Sequence, residues 1–265
     1  MLLKWQCLRL YNNIRIDFSY DGTSFNGYQI QPSVRTVEGE ISKAIQLILN
    51  EKPKLTSAGR TDTGVHASHQ VANFLSKKSI PVHNLMCALN SVLPDDIHIF
   101  DIQSVSSSFN SRKSAKSRLY RYLFSSSKPP LWLRSYISYI PHKPFIVDMN
   151  ICLMDLFGGQ RDFINLSKKG SNSFSTIREV KAARIEAFTL PSYFSMGTQS
   201  IYSIEIEANG FLYGMVRCII GALFELFSDK KQVYDFKKLF TQTGKIDYTY
   251  TLAPPNGLSL AMVNY

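Results

Sequence analysis

Three segments of this chain alternate apolar and polar residues with a period of two, and that alternation limits the fold more than any other feature. Ile14, Ile16, Phe18 and Tyr20 are interleaved with Arg15, Asp17 and Ser19. Arg118, Tyr120, Tyr122 and Phe124 share one side of a second segment. Tyr202, Ile204, Ile206 and Ala208 alternate with Ser203, Glu205 and Glu207. Successive side chains on a strand point to opposite faces, so such segments bury one side and leave the other in water. Parallel sheets are covered on both faces and read as continuous apolar runs, so the pattern points to antiparallel pairing with one covered face.

Helical spacings lie between the strands. Val37, Ile41, Ala44, Ile45 and Ile48 recur every three to four residues. Thr36 is placed to cap that helix, and Glu38 and Glu40 suit its positive end. Asn84–Asn90 reads as a short helix ending near Pro94. Asp148 is placed to cap a helix running to Phe157 and closed by Gly158-Gly159. Phe211–Phe227 has Leu212, Met215, Ile219, Leu223 and Leu226 on its apolar side, and a basic helix, Gln232–Phe240, follows. Gln70–Leu75, Val180–Glu186 and Leu258–Val263 complete the expected strands. Ser104–Ser117, Ser125–Pro130 and Ser167–Thr176 are polar and read as loops. Strands and helices are interspersed, which gives an α+β fold: a mostly antiparallel central sheet with helices on one face. Two similar halves, 1–110 and 111–265, are expected to meet at a central cleft.

The charge narrows the function. Thirty Lys+Arg against twenty Asp+Glu leave a net +10 and a pI near 9.4. Such a surface attracts a polyanion, either nucleic acid or an acidic membrane. At 45% hydrophobic and 19% charged the chain has the composition of a globular protein, not a disordered one. Cys7, Cys87, Cys152 and Cys218 show no CxxC and no zinc spacing, and read as small buried hydrophobes in a reducing compartment. Charges interrupt the apolar run of Met1–Tyr11, so it is no signal peptide. Phe211–Phe227 carries Arg217 and Glu225 and is short for a membrane span. A soluble, cytoplasmic protein with no membrane partner is expected.

Ala58-Gly59-Arg60-Thr61-Asp62-Thr63-Gly64-Val65-His66-Ala67 is the most informative stretch. It is a polar loop between apolar elements, with two glycines that permit unusual backbone angles or close approach of a ligand. Arg60 and Asp62 project the same way if the segment is extended. A carboxylate beside fixed cations stays ionised at neutral pH and suits a nucleophile or a base. The plainer reading is a turn carrying a surface ion pair. A phosphate-binding loop is excluded because Val65-His66 stands where Lys and Ser/Thr are needed. His66 and His69 have HxxH spacing without an evident third ligand, so no metal is expected.

Gly59-Arg60-Thr61-Asp62-x-Gly64-Val65-His66-Ala67 resembles the catalytic motif of the bacterial tRNA pseudouridine synthase A family. Phe18-Ser19-Tyr20-Asp21-Gly22 with Gly27-Tyr28-Gln29-Ile30-Gln31 resembles its first strand and following loop. Phe109 through Ser114-Ala115 and Arg118-Leu119-Tyr120-Arg121-Tyr122 are similar to its second motif, Met215-Val216-Arg217-x3-Gly221 to its third, and Gly257-Leu258 to its C-terminal strand. These five matches occur in the family's order and span nearly the whole chain.

The resemblance implies isomerisation of uridine to pseudouridine at positions 38, 39 and 40 of the tRNA anticodon stem-loop. No cofactor is required, and one tRNA touches both subunits of a homodimer. It implies that Asp62 is the catalytic aspartate, acting on C6, on C1′ or on the C2′ proton. Arg217 pairs with that carboxylate and Gly221 leaves room on the same helix face. Tyr120 stacks on the target uracil and helps remove the C5 proton, whereas Tyr122 is plain core. Arg60 takes the space left by the flipped nucleotide. Arg112, Lys113, Lys116, Arg118, Arg121, Lys168, Lys169, Arg178, Lys181 and Arg184 are candidates for a phosphate track. The chain departs from the family pattern at Tyr28, usually Trp, at Ile30, commonly Arg, and at Tyr213-Gly214, often His-His. Two rival readings are a pseudouridine synthase with another RNA target and a catalytically inactive RNA-binding protein of the same fold. A third is a metal-dependent hydrolase using the histidines.

Overall fold

The computed structural model describes residues 11–168, 175–190, 200–230, 234–241 and 251–265. Its elements run β1 (Asn12–Tyr20), α1 (Val37–Leu49), β2 (Thr56–Ser57), β3 (His66–Ser76), α2 (Val82–Asn90), β4 (Ile97–Val105), β5 (Ser117–Ser125), β6 (Ser138–Tyr139), α3 (Ile146–Met154), β7 (Gln160–Asp162), β8 (Ile177–Thr189), β9 (Ser200–Ala208), α4 (Met215–Glu225), α5 (Tyr234–Thr241) and β10 (Leu258–Asn264).

The strands join in the order β4-β1-β3-β10-β5-β9-β8-β7, with β2 beside β3 and β6 beside β5. Most pairs are antiparallel. The exceptions are the β5–β6 pair and the seam where β10 lies parallel to β3. That seam joins the strands preceding residue 110 to those that follow. The period-two segments are strands β1, β5 and β9, as their pattern requires. Ile14, Ile16, Phe18 and Tyr20 are buried with Tyr120, Tyr122, Phe124, Ile204 and Ile206 in one continuous core. The alternate positions carry charge, and Arg121 pairs with Glu205 there. The helices supply the cover. Phe224 of α4 packs against the rings of Tyr122 and Phe124 on β5. Asn90 of α2 bonds both backbone groups of Ile99 on β4. Asn150 of α3 does the same to Ile185 on β8.

The first helix is capped as expected, with Thr36 Oγ1 accepting from Gly39 N at 3.3 Å. Other expectations need correction. Strand β4 was not expected, because a register shift against β1 at Asp17/Phe18 breaks its alternation after Ile99. Asp148 does not cap α3; it lies in the first turn, behind Phe145 at the cap. Gly158 and Gly159, at φ 106 and 89, turn the chain towards β7 beyond the end of that helix. Helix α4 starts at Met215, not Phe211, because Gly214 at φ 68 is left-handed and breaks the helical path. Cys87 is exposed, whereas Cys152 and Cys218 are buried. Cys7, Lys169 and the middle of the 167–176 loop lie outside the described residues. Among the described residues no helix is long and apolar enough to cross a membrane.

Candidate active site

The loop carrying Asp62 connects β2 to β3, and neighbouring backbone fixes it on two sides. Tyr28 N donates to Thr61 O at 3.1 Å, and the Thr61 hydroxyl meets the Tyr20 hydroxyl at 2.7 Å. Gly27, at φ 86, is where the 21–31 loop crosses it; a Cβ there would lie 2.9 Å from Thr61 O. Val65 N closes the turn onto Asp62 O at 3.1 Å. At the entry to the loop, Gln70 Nε2 donates to Gly59 O at 2.9 Å.

These constraints present the Asp62 carboxylate to α4. Arg217 Nη1 donates to Asp62 Oδ2 at 2.8 Å, with side-chain exposures of 13% and 14%. An ion pair this far from bulk water is less screened than a surface pair, and losing one partner leaves the other's charge uncompensated. Arg217 is itself held, because Nε donates to Ala253 O at 2.8 Å and Arg217 O accepts from Ala253 N at 3.1 Å. Segment 251–253 reaches Arg217 by crossing α4 at Gly221, where a Cβ would lie 1.9 Å from Thr251 O. Gly221 therefore makes room for backbone that orients the arginine, rather than for a ligand. Among the described residues Oδ1 of Asp62 accepts no hydrogen bond, so one carboxylate oxygen remains available.

Tyr120 lies on β5 beside this pair. Its ring is buried and meets Phe211 edge-on, with centroids 5.0 Å apart. Burial, followed by the charges of Tyr20 and Asp62, pushes its phenol well above the usual range, against the opposing charge of Arg118. The phenol is therefore held protonated. Gly59 lies beside it: a Cβ there would come 3.8 Å from the Tyr120 hydroxyl, an ordinary contact distance. Arg60 projects outward, exposed, and makes no ion pair or hydrogen bond among the described residues. The structure thus brings together Asp62, Arg217 and Tyr120, with Arg60 on the same loop as Asp62. Tyr122 is fully buried core, and Tyr28 packs with Phe18 and Tyr20. Ile30 is exposed.

The remaining candidates separate. Arg118 is no phosphate contact: it is 8% exposed and its donors are spent on backbone carbonyls. Arg121 and Arg184 converge on Glu205, on the sheet face opposite Tyr120. Arg112, Lys113 and Lys116 are exposed on the loop before β5. The Lys168 ammonium sits 4.8 Å from the Tyr213 ring centroid, and its stem passes Gly214, where a Cβ would come within 2.7 Å of it. The two histidines have separate duties. His66 Nδ1 lies 3.0 Å from Gly22 N and 3.1 Å from Asp21 Oδ1, and Nε2 lies 2.8 Å from Ser135 O. His69 Nε2 meets Asp17 Oδ2 at 2.8 Å. Among the described residues no group of three or more His, Cys, Asp or Glu is arranged to hold a metal. Sequence reasoning missed Gln70, Thr61 and Tyr20. Their signal was weak, since a buried Gln or Tyr on a strand does not reveal which loop it will grip.

Comparison with known proteins places the chain in a family. The family model described as tRNA pseudouridine synthase matches residues 18–112 and 153–265. A tRNA pseudouridine synthase A of Thermoanaerobacter sp. (strain X514) is 40% identical over 257 residues, covering 96% of this chain and 99% of the relative. The protein of that name from Caldicellulosiruptor bescii is 37% identical over 254 residues, covering 96% and 99%. The one from Pseudothermotoga lettingae is 34% identical over 252 residues, covering 93% and 97%. A solved archaeal box H/ACA sRNP Nop10–Cbf5 complex aligns over 83% of this chain and 44% of that chain at 15% identity, with a TM-score of 0.30, too low to carry an argument.

Proposed function

Because the chain belongs to the tRNA pseudouridine synthase family, we propose a role for each group around Asp62 in converting uridine to pseudouridine in tRNA. The reaction breaks the C1′–N1 bond, turns the base and forms a C1′–C5 bond. N1 gains a proton and C5 loses one, so the change is an isomerisation. The observation that carries the reading is the Arg217–Asp62 pair, which holds one carboxylate oxygen and leaves Oδ1 free.

Asp62 attacks the nucleotide or removes a proton from it through Oδ1, while Arg217 keeps the carboxylate aimed. The protonated phenol of Tyr120 favours stacking on, or hydrogen bonding to, the displaced base over removing the C5 proton as a phenolate. Arg60, exposed and uncommitted, fills the gap left in the RNA when the target nucleotide flips out. Arg112, Lys113 and Lys116 supply phosphate contacts whose contribution falls with salt. With the two halves divided at residue 110, as proposed, Asp62 and Arg60 belong to one and Tyr120 and Arg217 to the other.

Uridines 38, 39 and 40 of the anticodon stem-loop are the proposed targets, on the strength of the motif set. A homodimer acting on one tRNA, in the cytoplasm, completes the proposal. Sedimentation with and without tRNA tests the dimer. Tritium release from tRNA carrying C5-tritiated uridine, compared between wild type and Asp62→Ala, tests the chemistry. Release by wild type alone supports the assignment. Equal release by both proteins removes Asp62 from the mechanism, and no release by either, with tRNA still bound, favours an inactive binding protein.

A further inference from the structure

Arg118 is the one buried arginine whose charge meets no carboxylate among the described residues. Burying an isolated cation is costly unless dipoles replace its water. Here backbone carbonyls do so. Nε and Nη2 both donate to Ala58 O, at 3.1 and 2.9 Å. Nη2 also reaches Arg112 O at 2.6 Å, and Nη1 reaches Ala115 O at 3.2 Å and Asn209 O at 3.0 Å.

Those acceptors belong to separate segments around the site. Ala58 begins the Asp62 loop and is the residue before Gly59, whose own carbonyl is taken by Gln70. Arg112 and Ala115 belong to the basic loop that precedes β5. Asn209 directly follows β9 and is itself locked to Glu179 through both its backbone N–H and its side chain. One rigid, planar guanidinium thus ties the catalytic loop to the loop with the exposed cations and to the turn before α4. A lysine has a single, freely rotating head and cannot satisfy this fork.

We propose that Arg118 is a positioning residue for the isomerisation: it sets the Asp62 loop relative to Arg217 and links that setting to the 112–116 loop. The proposal rests on the assignment of Asp62 as the catalytic group. Small displacements are enough to matter, since a misplacement near 1 Å can cost about a hundredfold in rate.

The test uses the full chain with Arg118→Gln and Arg118→Lys. It compares tRNA affinity, saturated tritium-release rate and amide hydrogen exchange over residues 58–65. The expected result for Arg118→Gln is a rate loss of about a hundredfold with tRNA affinity little changed, and Arg118→Lys recovering part of the rate. Exchange over 58–65 should quicken in both, while that of β3 and β5 stays as in wild type. Arg118→Lys carries the test if the glutamine variant does not fold. Wild-type exchange over 58–65, or a wild-type rate in a folded variant, overturns the proposal. Failure of the Asp62 assignment would show separately, as tritium release by Asp62→Ala.

Discussion

Gly221→Ala places one methyl group where α4 is crossed by other backbone, and two large effects then compete. The new Cβ would lie 1.9 Å from Thr251 O and 3.2 Å from Ala253 N. Ordinary contact requires the crossing segment to withdraw by about 1.5 Å. Overpacking of this kind costs roughly 1–3 kcal/mol, and alanine returns about 1 kcal/mol through its helix preference. The net loss of roughly 0–2 kcal/mol lowers Tm by several degrees at most. The rate should suffer far more. Ala253 O is the acceptor that orients Arg217 Nε at 2.8 Å, and that arginine holds Asp62 Oδ2 at 2.8 Å. Moving Ala253 by an ångström or more loosens the pair, so kcat should fall about a hundredfold while KM for tRNA holds. Thermal unfolding and saturated tritium release, measured on the same preparation, separate the two effects. A lowered Tm with wild-type kcat would refute the reasoning, because Ala253 would then have no part in aiming Arg217.

Arg60→Ala should lower the single-turnover rate about tenfold, equivalent to roughly 1.4 kcal/mol of the flipping cost, with a smaller change in tRNA affinity. Fluorescence of a 2-aminopurine next to the target reads flipping directly, and normal flipping at saturation would contradict the assignment. Asp17 sets a pH dependence. Burial pushes its carboxyl pKa up, but the hydrogen bonds from His69 and Arg15 together outweigh it and leave the pKa below its usual 3.8. A depressed folded-state pKa gives stability that is present above about pH 4 and lost as the pH falls through the folded value. Asp17→Asn should therefore be less stable at pH 7 and show a shallower loss of stability below about pH 4 in denaturant titrations. Parallel acid limbs in the two proteins would rule that out.

The strands with clean alternation were legible because burial on one face imposes a period that sequence displays directly. The same rule hid β4, where the register shift after Ile99 puts the next buried position at Ile102. The elements that carry the candidate residues were legible: Asp62 and Arg60 fall on the expected loop, Tyr120 on the expected strand and Arg217 on the expected helix. What escaped was the long-range grip on that loop. Arg118 looks like any arginine of a basic strand, and only the folded chain shows backbone from separate segments converging on it. Gly221 shows the converse, since the motif marked it as important while the structure shows that backbone, not ligand, takes the space.

The parallel seam between β3 and β10 bears on how the protein comes to be active as it is synthesised. Strand β10 is later in the chain than every other element, yet it sits mid-sheet, between β3 and β5. Until the ribosome has released residues 258–264, the strand bearing Tyr120 has no strand pairing that leads to the strand following the Asp62 loop. Pairings of such long sequence separation are slow to close, because the entropy of the intervening chain is lost before contacts reward it. The earlier strands must therefore wait with open edges, which are natural templates for mispairing. A nascent chain of this kind has Asp62 and Tyr120 synthesised well before the strand that joins their two parts of the sheet.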